Sequence, residues 1–338
     1  MAAEFPDDNT VRAALMLATR APSVHNSQPW LWRVGPHSLH LYADPAQHLK
    51  HTDPDRRDFI LSCGAALGHC AVALAAMGWQ PIIHRLPNPA EPDHLASITV
   101  RRHAAGETDI ALAAAIAQRR TDRRTFSSQP VLLGDIAWMG ARVARMGVSL
   151  RRVETTTDFK AILTQAVWQH ALDSDYAQEL TDWSGRHAAD SGVPARNIPE
   201  SDPVSAVPSR VFAASALNQP TDAPPAYDNG VLLALGTSAD DRLSRLRAGE
   251  ATSSALLTAT SRGLATCLVS EVLEVLETRR MLRSEIFDDR YYPQMLVRVG
   301  WAPADADRVP ATPRRPIADR VRRLDGAPFD GFEGEDSV

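Results

Sequence analysis

Two apolar segments with matching glycines recur in the two halves of the 338-residue chain. The first reads CGAALGHCAVALAAMGW and holds Gly64 and Gly78, and the second reads AGEATSSALLTATSRGLA and holds Gly249 and Gly263. The two glycines of each pair are the same distance apart. An apolar run with small residues is typical of a buried helix that packs closely on a neighbour, and a following glycine is typical of a helix C-terminus. The pattern therefore predicts two matching core helices.

The segments around these helices also follow one order. Upstream, VRAALMLATR leads to the strand-like WLWRV in the first half, and DIAWMGARVARMG leads to VSLRRV in the second. Downstream, each half ends in a strand-like stretch, LASITV or MLVRVG. From this order we predict an α+β fold of two tandem, diverged repeats, residues 1–105 and 106–330, that pack as an intramolecular pseudo-dimer. Chance similarity between ordinary helices and strands is the alternative.

Two polar segments break the similarity because each occurs in one half only. The loop APSVHNSQP separates helix and strand in the first half, whereas the second half turns at that place with little more than Gly147. The arginine-rich QRRTDRRTF opens the second half, whereas the first half opens with the acidic PDDNT. A ligand site that needs both segments can therefore form once per chain if the halves pack together.

A long segment from Ser184 to Gly230 is dense in proline, serine, alanine and aspartate. Its prolines exclude a long helix or a central strand, and loops of this length are usually functional lids or disordered linkers. Because it also contains several valines and aromatic residues, we predict a lid that packs on the ligand site, with a linker as the alternative. The acidic end, residues 331–338, is expected to be a flexible tail.

Composition limits the partners and the location of the chain. The net charge of −5 gives no basic excess, so we expect neither nucleic acid nor an anionic membrane as the main partner. The start lacks the basic residues and the long apolar run of a signal peptide, so a cytoplasmic protein is expected. The most apolar stretch, Gly64 to Trp79, is too short to span a membrane. The eleven histidines form no metal-binding pattern, so no metal site is expected.

Two arginine clusters are candidate phosphate sites. In RRTDRRTF, Arg119 and Arg123 are four residues apart at the end of a predicted helix, so they can project together, with the hydroxyl of Thr121 beside them. Near the C-terminus, PATPRRPI places Arg314 and Arg315 in a rigid turn that can form a second clamp. A solvated helix end and a solvated arm are the respective alternatives.

The loop APSVHNSQP offers groups that suit a heterocyclic ring. The side-chain amides of Asn26 and Gln28 both donate and accept hydrogen bonds, as the polar edge of such a ring requires. Pro22 and Pro29 are expected to stiffen the loop around these amides. In the following WLWRV, the alternating tryptophans share one face of a strand, which is most often the core face.

Other chemistry is less well supported in the same loop. Ser23 and His25 suggest a nucleophile and a base, but no G-x-S-x-G elbow is present and residues two apart point in different directions. No G-x-G-x-x-G and no P-loop occurs, so neither a Rossmann dinucleotide site nor an ATP site is indicated. Hydrolysis and nucleotide-triphosphate chemistry are therefore disfavoured.

Together these segments resemble the FMN-dependent nitroreductase family, and within it the Acg-like actinobacterial branch. ATRAPSVHNSQPWLW looks like the family loop A-P-S-x-x-N-x-Q-P-W, RRTDR looks like its phosphate motif R-R-S-x-R, and GEATSSALLTATSRGLATC looks like its core helix. YPQMLVRVGWAP and ATPRRPI are similar to the Acg-like C-terminal end. The resemblance covers nearly the whole chain and implies a nitroreductase-like fold.

The resemblance also implies a cofactor and a set of residues that bind it. Family members are usually homodimers with two FMN sites at the interface, so a fused pseudo-dimer with one copy of each motif implies one FMN per chain and a monomer. The implied FMN-binding residues are Pro22, Ser23, Asn26, Gln28, Pro29, Trp30, Trp32, Arg119, Thr121, Arg123, Pro313, Arg314 and Arg315. No catalytic side chain is implied.

Two functions of different kinds follow from the resemblance. One is an NAD(P)H-dependent oxidoreductase of nitro compounds or quinones, in which the lid opens to admit the nicotinamide. The other is an FMN storage or sequestration protein, in which a closed lid shields the flavin and allows little or no turnover. A relic scaffold without flavin is a third, minor reading.

Overall fold

The computed structural model of the chain describes residues 5–185, 189–200, 210–219 and 228–329. The predicted tail, residues 331–338, lies outside the described residues, as do parts of the predicted lid at 186–188, 201–209 and 220–227. The helices and strands of the first half are α1 (Asp8–Ala18), β1 (Trp30–Val34), β2 (Leu39–Ala43), α2 (Arg57–Ala76), β3 (Trp79–Arg85) and β4 (His94–Arg102), and the second half begins with α3 (Glu107–Gln118).

The second half continues with more helices between its strands. Its elements are α4 (Leu133–Ala144), β5 (Ser149–Val153), α5 (Thr157–Ala171), α6 (Ser174–Trp183), β6 (Val231–Thr237), α7 (Arg242–Ser261), β7 (Ala265–Val269), α8 (Glu271–Glu274), α9 (Leu276–Phe287), β8 (Tyr292–Gly300) and β9 (Val321–Arg323). A tight turn joins β1 to β2, whereas α5, α6 and the proline-rich segment 184–230, hereafter the insertion, lie between β5 and β6.

The two sheets share one strand order. The first sheet runs β3-β4-β2-β1 and ends in β9, and the second runs β7-β8-β6-β5. If β1 to β4 are matched in turn with β5 to β8, the order is identical. All pairs are antiparallel except β1 with β9, which is parallel. Two tandem repeats would give this arrangement, and the duplication itself stays a prediction.

Strand sequence and burial agree in both sheets. Alternate residues of β1 are buried, so one face of the first sheet packs on α1 and α2 while the other face is more open. By contrast, every residue of β6, VLLALGT, is buried. Its alternate side chains pack on α4 and α7 on one face and on α5, α8 and α9 on the other. A continuous apolar strand thus reflects a sheet that is covered on both sides.

The two glycine-bearing helices pack on each other at the centre of the molecule, where α2 crosses α7. A Cβ atom added to Gly68 would lie 2.9 Å from the Oγ of Ser253, so a side chain there would displace Ser253. Gly78 and Gly263 follow the helix ends with φ of +84° and +83°. These angles are the left-handed conformation of a helix C-cap glycine, which confirms the predicted helix ends.

The C-terminal segment was not predicted to return to the first half. After β8 the chain leaves the second sheet, crosses the molecule and adds β9 beside β1, pairing Val321 with Trp32. The segment from 301 to 320 therefore passes along the boundary between the halves. The predicted second repeat, 106–330, includes this strand, which the structure places in the first sheet.

One of the described helices, α2, is long and apolar enough to cross a membrane by length and composition. The protein buries 78% of its most apolar stretch. The hydropathy of α2 is therefore accounted for by its position between the first sheet and α7.

Candidate functional site

A cavity of about 360 Å³ lies where the two halves meet. Its walls come from the loop after α1, from α2 and α7, from the end of α3, from the insertion, from β7, α8 and β8, and from the C-terminal segment. A volume of this size is in the range of small-molecule and cofactor sites. The arginines that line it are Arg20, Arg119, Arg120, Arg123, Arg210, Arg298 and Arg314.

Arg119 occupies the C-cap of α3. Because the helix ends at Gln118 and Arg119 has ψ of 130°, the chain continues in an extended form, and Thr121 forms a bridge with Thr266 of β7. The predicted helical spacing of Arg119 and Arg123 is therefore wrong, although both line the cavity. Arg119 is buried, and its Nε and Nη1 atoms have no hydrogen-bond partner among the described residues.

Arg314 joins the C-terminal segment to the loop after α1. Its guanidinium donates to the carbonyl oxygen of Thr19 at 2.8 Å, to Oδ1 of Asn26 at 3.1 Å and to Oγ1 of Thr312 at 2.6 Å. The loop after α1 and Thr312 thus hold this side chain in place, and its role as a phosphate clamp stays a prediction. Arg314 reaches the cavity from the C-terminal segment, and Arg119 reaches it from the end of α3.

Four arginines, Arg20, Arg119, Arg120 and Arg314, form a cationic cluster. Burial lowers the pKa of Arg314 to about 9 and that of Arg119 to about 10, and the repulsion from the neighbouring arginines adds to both shifts. Within the part of the chain that the structure describes, no carboxylate pairs with any of the four. Such a concentration of unpaired charge with orphaned donors is the environment that an anion would stabilise.

The loop after α1 is held in a strained backbone. His25, Asn26 and Gln28 have φ of 46°, 55° and 54°, values that non-glycine residues rarely adopt. Hydrogen bonds hold this shape, because Ser23 Oγ accepts from the backbone N–H of Gln28 at 2.9 Å and Ser62 Oγ accepts from that of Val24 at 3.1 Å. Such strain is typical of functional loops.

Only part of this loop borders the cavity as predicted. Pro22, Ser23 and Asn26 line it, together with His25. The amide of Asn26 is engaged by the protein itself, since Nδ2 donates to the carbonyl oxygens of Gly192 and Pro313, at 3.1 Å each. Asn26 therefore shapes the cavity wall and fastens the insertion and the C-terminal segment to the loop.

The structure corrects the prediction for Gln28, which lies outside the cavity lining. Its Nε2 donates to the carbonyl oxygen of Asp190 at 2.9 Å, and its Oε1 accepts from the backbone N–H of Arg315 at 2.9 Å. The side chain of Arg315 also points elsewhere, with Nη1 3.5 Å from Asp44. Gln28 thus supports the site from behind and has no free donor for a ring.

Four more predicted residues lie outside the cavity lining for structural reasons. Trp30 and Trp32 are fully buried between the first sheet and its helices, because the even-numbered residues of β1 face the core. Pro29 is buried next to them and accepts from the thiol of Cys63 through its carbonyl oxygen. Pro313 contacts the site through its carbonyl oxygen, which accepts from the side chains of Asn26 and Arg314. These residues position the loop, and the cavity wall is formed by their neighbours.

A buried polar network beside the cavity was missed by sequence reasoning. Arg210, from the insertion, donates to Nε2 of His25 at 2.7 Å and pairs with the buried carboxylate of Glu274 in α8. Burial and the charge of Arg210 hold the pKa of His25 well below its ordinary value, so this imidazole is neutral. No sequence signal links Arg210 to His25, which lies 185 residues away in the chain.

The insertion forms part of the cavity wall. Val193, Asn197, Arg210 and Phe212 line the cavity, and Asn197 Nδ2 donates to the carbonyl oxygen of Pro310 at 2.6 Å. The described parts of the insertion therefore cover part of the site.

Comparison with known proteins identifies relatives that align with nearly the whole chain. No model of a known protein family matches it. A protein of Mycobacterium tuberculosis strain H37Rv is 55% identical over 321 residues, which cover 95% of this chain and 93% of the relative. A second protein of that strain is 37% identical over 321 residues, covering 91% and 94%. Both carry the name "Putative NAD(P)H nitroreductase", followed by Rv3131 for the first and acg for the second.

Solved structures with a similar fold include two nitroreductases. One, from Desulfitobacterium hafniense with bound FMN, is 12% identical with a TM-score of 0.41, covering 63% of this chain and 98% of its own. Another, the FMN- and NADPH-dependent nitroreductase NfnB, is 14% identical with a TM-score of 0.38, covering 62% and 97%. On the strength of the 55% identity over nearly its whole length, and of its similarity to Acg, this chain belongs to the nitroreductase family and to the Acg-like branch of that family.

Proposed function

We propose that the chain binds one FMN in the cavity, with the FMN phosphate on the cationic cluster. The main support for this proposal is that the buried Nε and Nη1 atoms of Arg119 have no hydrogen-bond partner among the described residues. A phosphate monoester supplies several strong acceptor oxygens and the negative charge that these donors lack. The relative from Mycobacterium tuberculosis is named a putative NAD(P)H nitroreductase, and the nitroreductase from Desulfitobacterium hafniense holds FMN.

Residues from both halves would hold the cofactor. Arg119 would bind the phosphate from the second half, with the hydroxyl of Thr121 next to it, and Arg314 would bind it from the C-terminal segment. Pro22 and Ser23 of the first half would form the wall along the ring. Since the loop and the arginines each occur once, the chain would hold a single FMN as a monomer.

The chemistry would be that of an NAD(P)H-dependent oxidoreductase. Bound FMN supplies the capacity to accept a hydride from NAD(P)H and to pass electrons to a nitro compound or a quinone. The protein would fix the orientation of the cofactor through Arg119 and Arg314 and exclude water with the apolar wall that includes Leu61 and Met295. This chemistry needs no catalytic side chain.

A second candidate function is storage of FMN, and the insertion favours it. Its described part borders the cavity through Phe212 and is fastened to the loop by the pair of bonds between Asn26 and Gly192 and by the bond from Arg210 to His25. A cover held at several points would hinder the approach of a nicotinamide. In this reading the flavin is retained and turnover is slow.

Anaerobic reduction separates the two functions. The purified protein should be yellow, and addition of NADPH without oxygen should bleach the flavin band within seconds if the chain is an oxidoreductase. A yellow protein that NADPH leaves yellow supports storage. A protein that stays colourless after incubation with FMN refutes both proposals.

A further inference from the structure

The outer face of the first sheet is open, whereas the matching face of the second sheet is covered. In the second sheet, α5, α8 and α9 pack on one face and α4 and α7 pack on the other. In the first sheet, the apolar core lies on the face that meets α1 and α2. On its other face, hereafter the outer face, most strand residues are partly or fully exposed. The outer face is therefore accessible to a partner.

One row of residues crosses all five strands on the outer face. Cross-strand pairing aligns its five members, which are His84, Ser97, His40, Arg33 and Arg322. Residues that lie opposite each other on neighbouring strands share a face of the sheet, and neighbouring strands are about 4.8 Å apart. Arg33 and Arg322 are therefore direct neighbours at the β9 edge of the sheet, and His84 lies at the β3 edge.

The two arginines of this row have no counter-ion. The five strands of the first sheet contain no aspartate and no glutamate. Across the ranges of the chain that the structure describes, no carboxylate forms an ion pair with Arg33 or Arg322. Like charges directly opposite each other on neighbouring strands destabilise a sheet. In a chain with a net charge of −5, these two arginines form a local positive site that an anionic group would stabilise.

An apolar strip lies beside the arginines on the same face. Leu31 pairs with Tyr42, which pairs with His94 and stacks on its ring with centroids 4.4 Å apart. His94 Nε2 and His40 Nδ1 are hydrogen-bonded at 3.0 Å, so the two imidazoles hold each other in place. Glu91 lies at the β4 end of this strip, 4.0 Å from His94. Half-exposed Leu31 and Tyr42 therefore offer an apolar contact next to the positive site.

This combination fits an acidic protein segment better than a nucleic acid. Nucleic acids bind through many phosphate contacts, whereas this surface offers two arginines without counter-ions beside an apolar strip. A peptide with glutamates or aspartates and an apolar residue matches both parts, because guanidinium groups bind carboxylates and the strip covers the apolar side chain. We propose that the outer face docks an acidic segment of a partner protein on Arg33, Arg322, Leu31 and Tyr42. None of these residues lines the FMN cavity, so the proposal does not depend on the cofactor.

The docking surface can be tested with a defined peptide at low ionic strength. The labelled peptide EELEELEE and its neutral counterpart QQLQQLQQ are titrated with the full-length chain, and fluorescence anisotropy gives both dissociation constants. We expect the acidic peptide to bind more tightly, and the double variant Arg33→Gln/Arg322→Gln to bind it about 2- to 30-fold more weakly and with a smaller salt dependence. Leu31→Ser should weaken binding without changing the salt dependence. Arg145→Gln, at the exposed C-cap of α4, is the matched control and should bind like the unaltered chain.

Several results would overturn the docking surface. Equal affinity for the two peptides would do so, as would a double variant that binds the acidic peptide like the control. If the double variant unfolds, Arg322→Gln alone, at an exposed position, decides the same question. Tighter binding of an oligothymidylate of equal length would make the face a nucleic-acid surface instead. Binding that appears only after residues 331–338 are removed would mean that the acidic end of the chain itself is the occupant.

Discussion

Gly64 of α2 and Gly249 of α7 meet backbone to backbone where the two halves of the chain cross. A Cβ atom added to Gly64 would lie 3.0 Å from the Cα of Gly249, and one added to Gly249 would lie 2.8 Å from the Cα of Gly64. The two glycines therefore set how closely the halves approach. Because α2 and α7 both contribute to the cavity wall, this distance also fixes the shape of the site.

Substitution of one of these glycines should destabilise the fold. In Gly249→Ala the new methyl group would meet backbone atoms of Leu61 and Gly64, which cannot move aside as a side chain can. We expect a loss of about 1–3 kcal/mol or more in the free energy of unfolding, measured with urea. The matched control is Gly140→Ala in α4, where no atom lies within 4 Å and alanine should be neutral or stabilising by up to about 1 kcal/mol. Equal effects of the two substitutions would contradict the close approach.

The central architecture could be predicted because it rests on local patterns. Apolar runs and their glycines predicted α2 and α7, and Gly78 and Gly263 do end them in the left-handed conformation. The alternation in WLWRV predicted a strand with one core face. The return of the C-terminal segment to pair β9 with β1 is a contact between distant residues, and no local pattern in residues 301–329 encodes its partner.

Loss of the cationic cluster should release FMN. Arg119→Ala and Arg314→Ala each remove charge-assisted donors, so we expect each to weaken FMN binding by about 1.5–3 kcal/mol, or about 10- to 150-fold. Equilibrium dialysis against FMN measures the effect. Arg145→Ala, at the exposed C-cap of α4, is the control and should bind FMN like the unaltered protein. If Arg119→Ala keeps the affinity of the control, the phosphate lies elsewhere.

The site could be predicted in part, since its arginines and loop are concentrated in short motifs. Arg119, Arg314, Ser23 and Asn26 do line one cavity. The tryptophans were included because they adjoin the loop, but strand geometry turns them into the core. Arg210 could not be found from the sequence, because its role depends on how the insertion folds back over the loop.

Acid should destabilise the protein through a buried histidine of the α2–α7 contact. His69 is fully buried and bonds Ser253 Oγ at 2.8 Å, and burial holds its pKa well below 6.5. Below pH 6.5 the imidazole of His69 is protonated in the unfolded chain but stays neutral in the folded chain. This group therefore leaves the free energy of unfolding unchanged above pH 6.5 and lowers it by about 1.4 kcal/mol per pH unit below that pH. In His69→Gln the urea-unfolding free energy should have a smaller slope between pH 6.5 and 5. An identical slope would show that His69 is protonated in the folded state.

The bond from Arg210 to His25 should slow access to the flavin. Arg210→Met removes it while keeping the length of the side chain, and we expect anaerobic reduction by NADPH to become about tenfold faster if the contact favours the closed insertion by about 1.4 kcal/mol. Stopped-flow absorbance at the flavin band gives the rate. Arg196→Met alters an exposed arginine of the same insertion and serves as the control. Equal rates in both variants would mean that Arg210 plays no part in gating.

In the proposed function, both halves of one chain build a single FMN site. The most direct measurement is the molar ratio of FMN to chain after saturation with FMN and removal of the excess, with flavin quantified after denaturation. We predict one FMN per chain. A ratio of two would mean that each half has its own site, a ratio of one half would mean that two chains share one, and either result, like the absence of flavin, would contradict it.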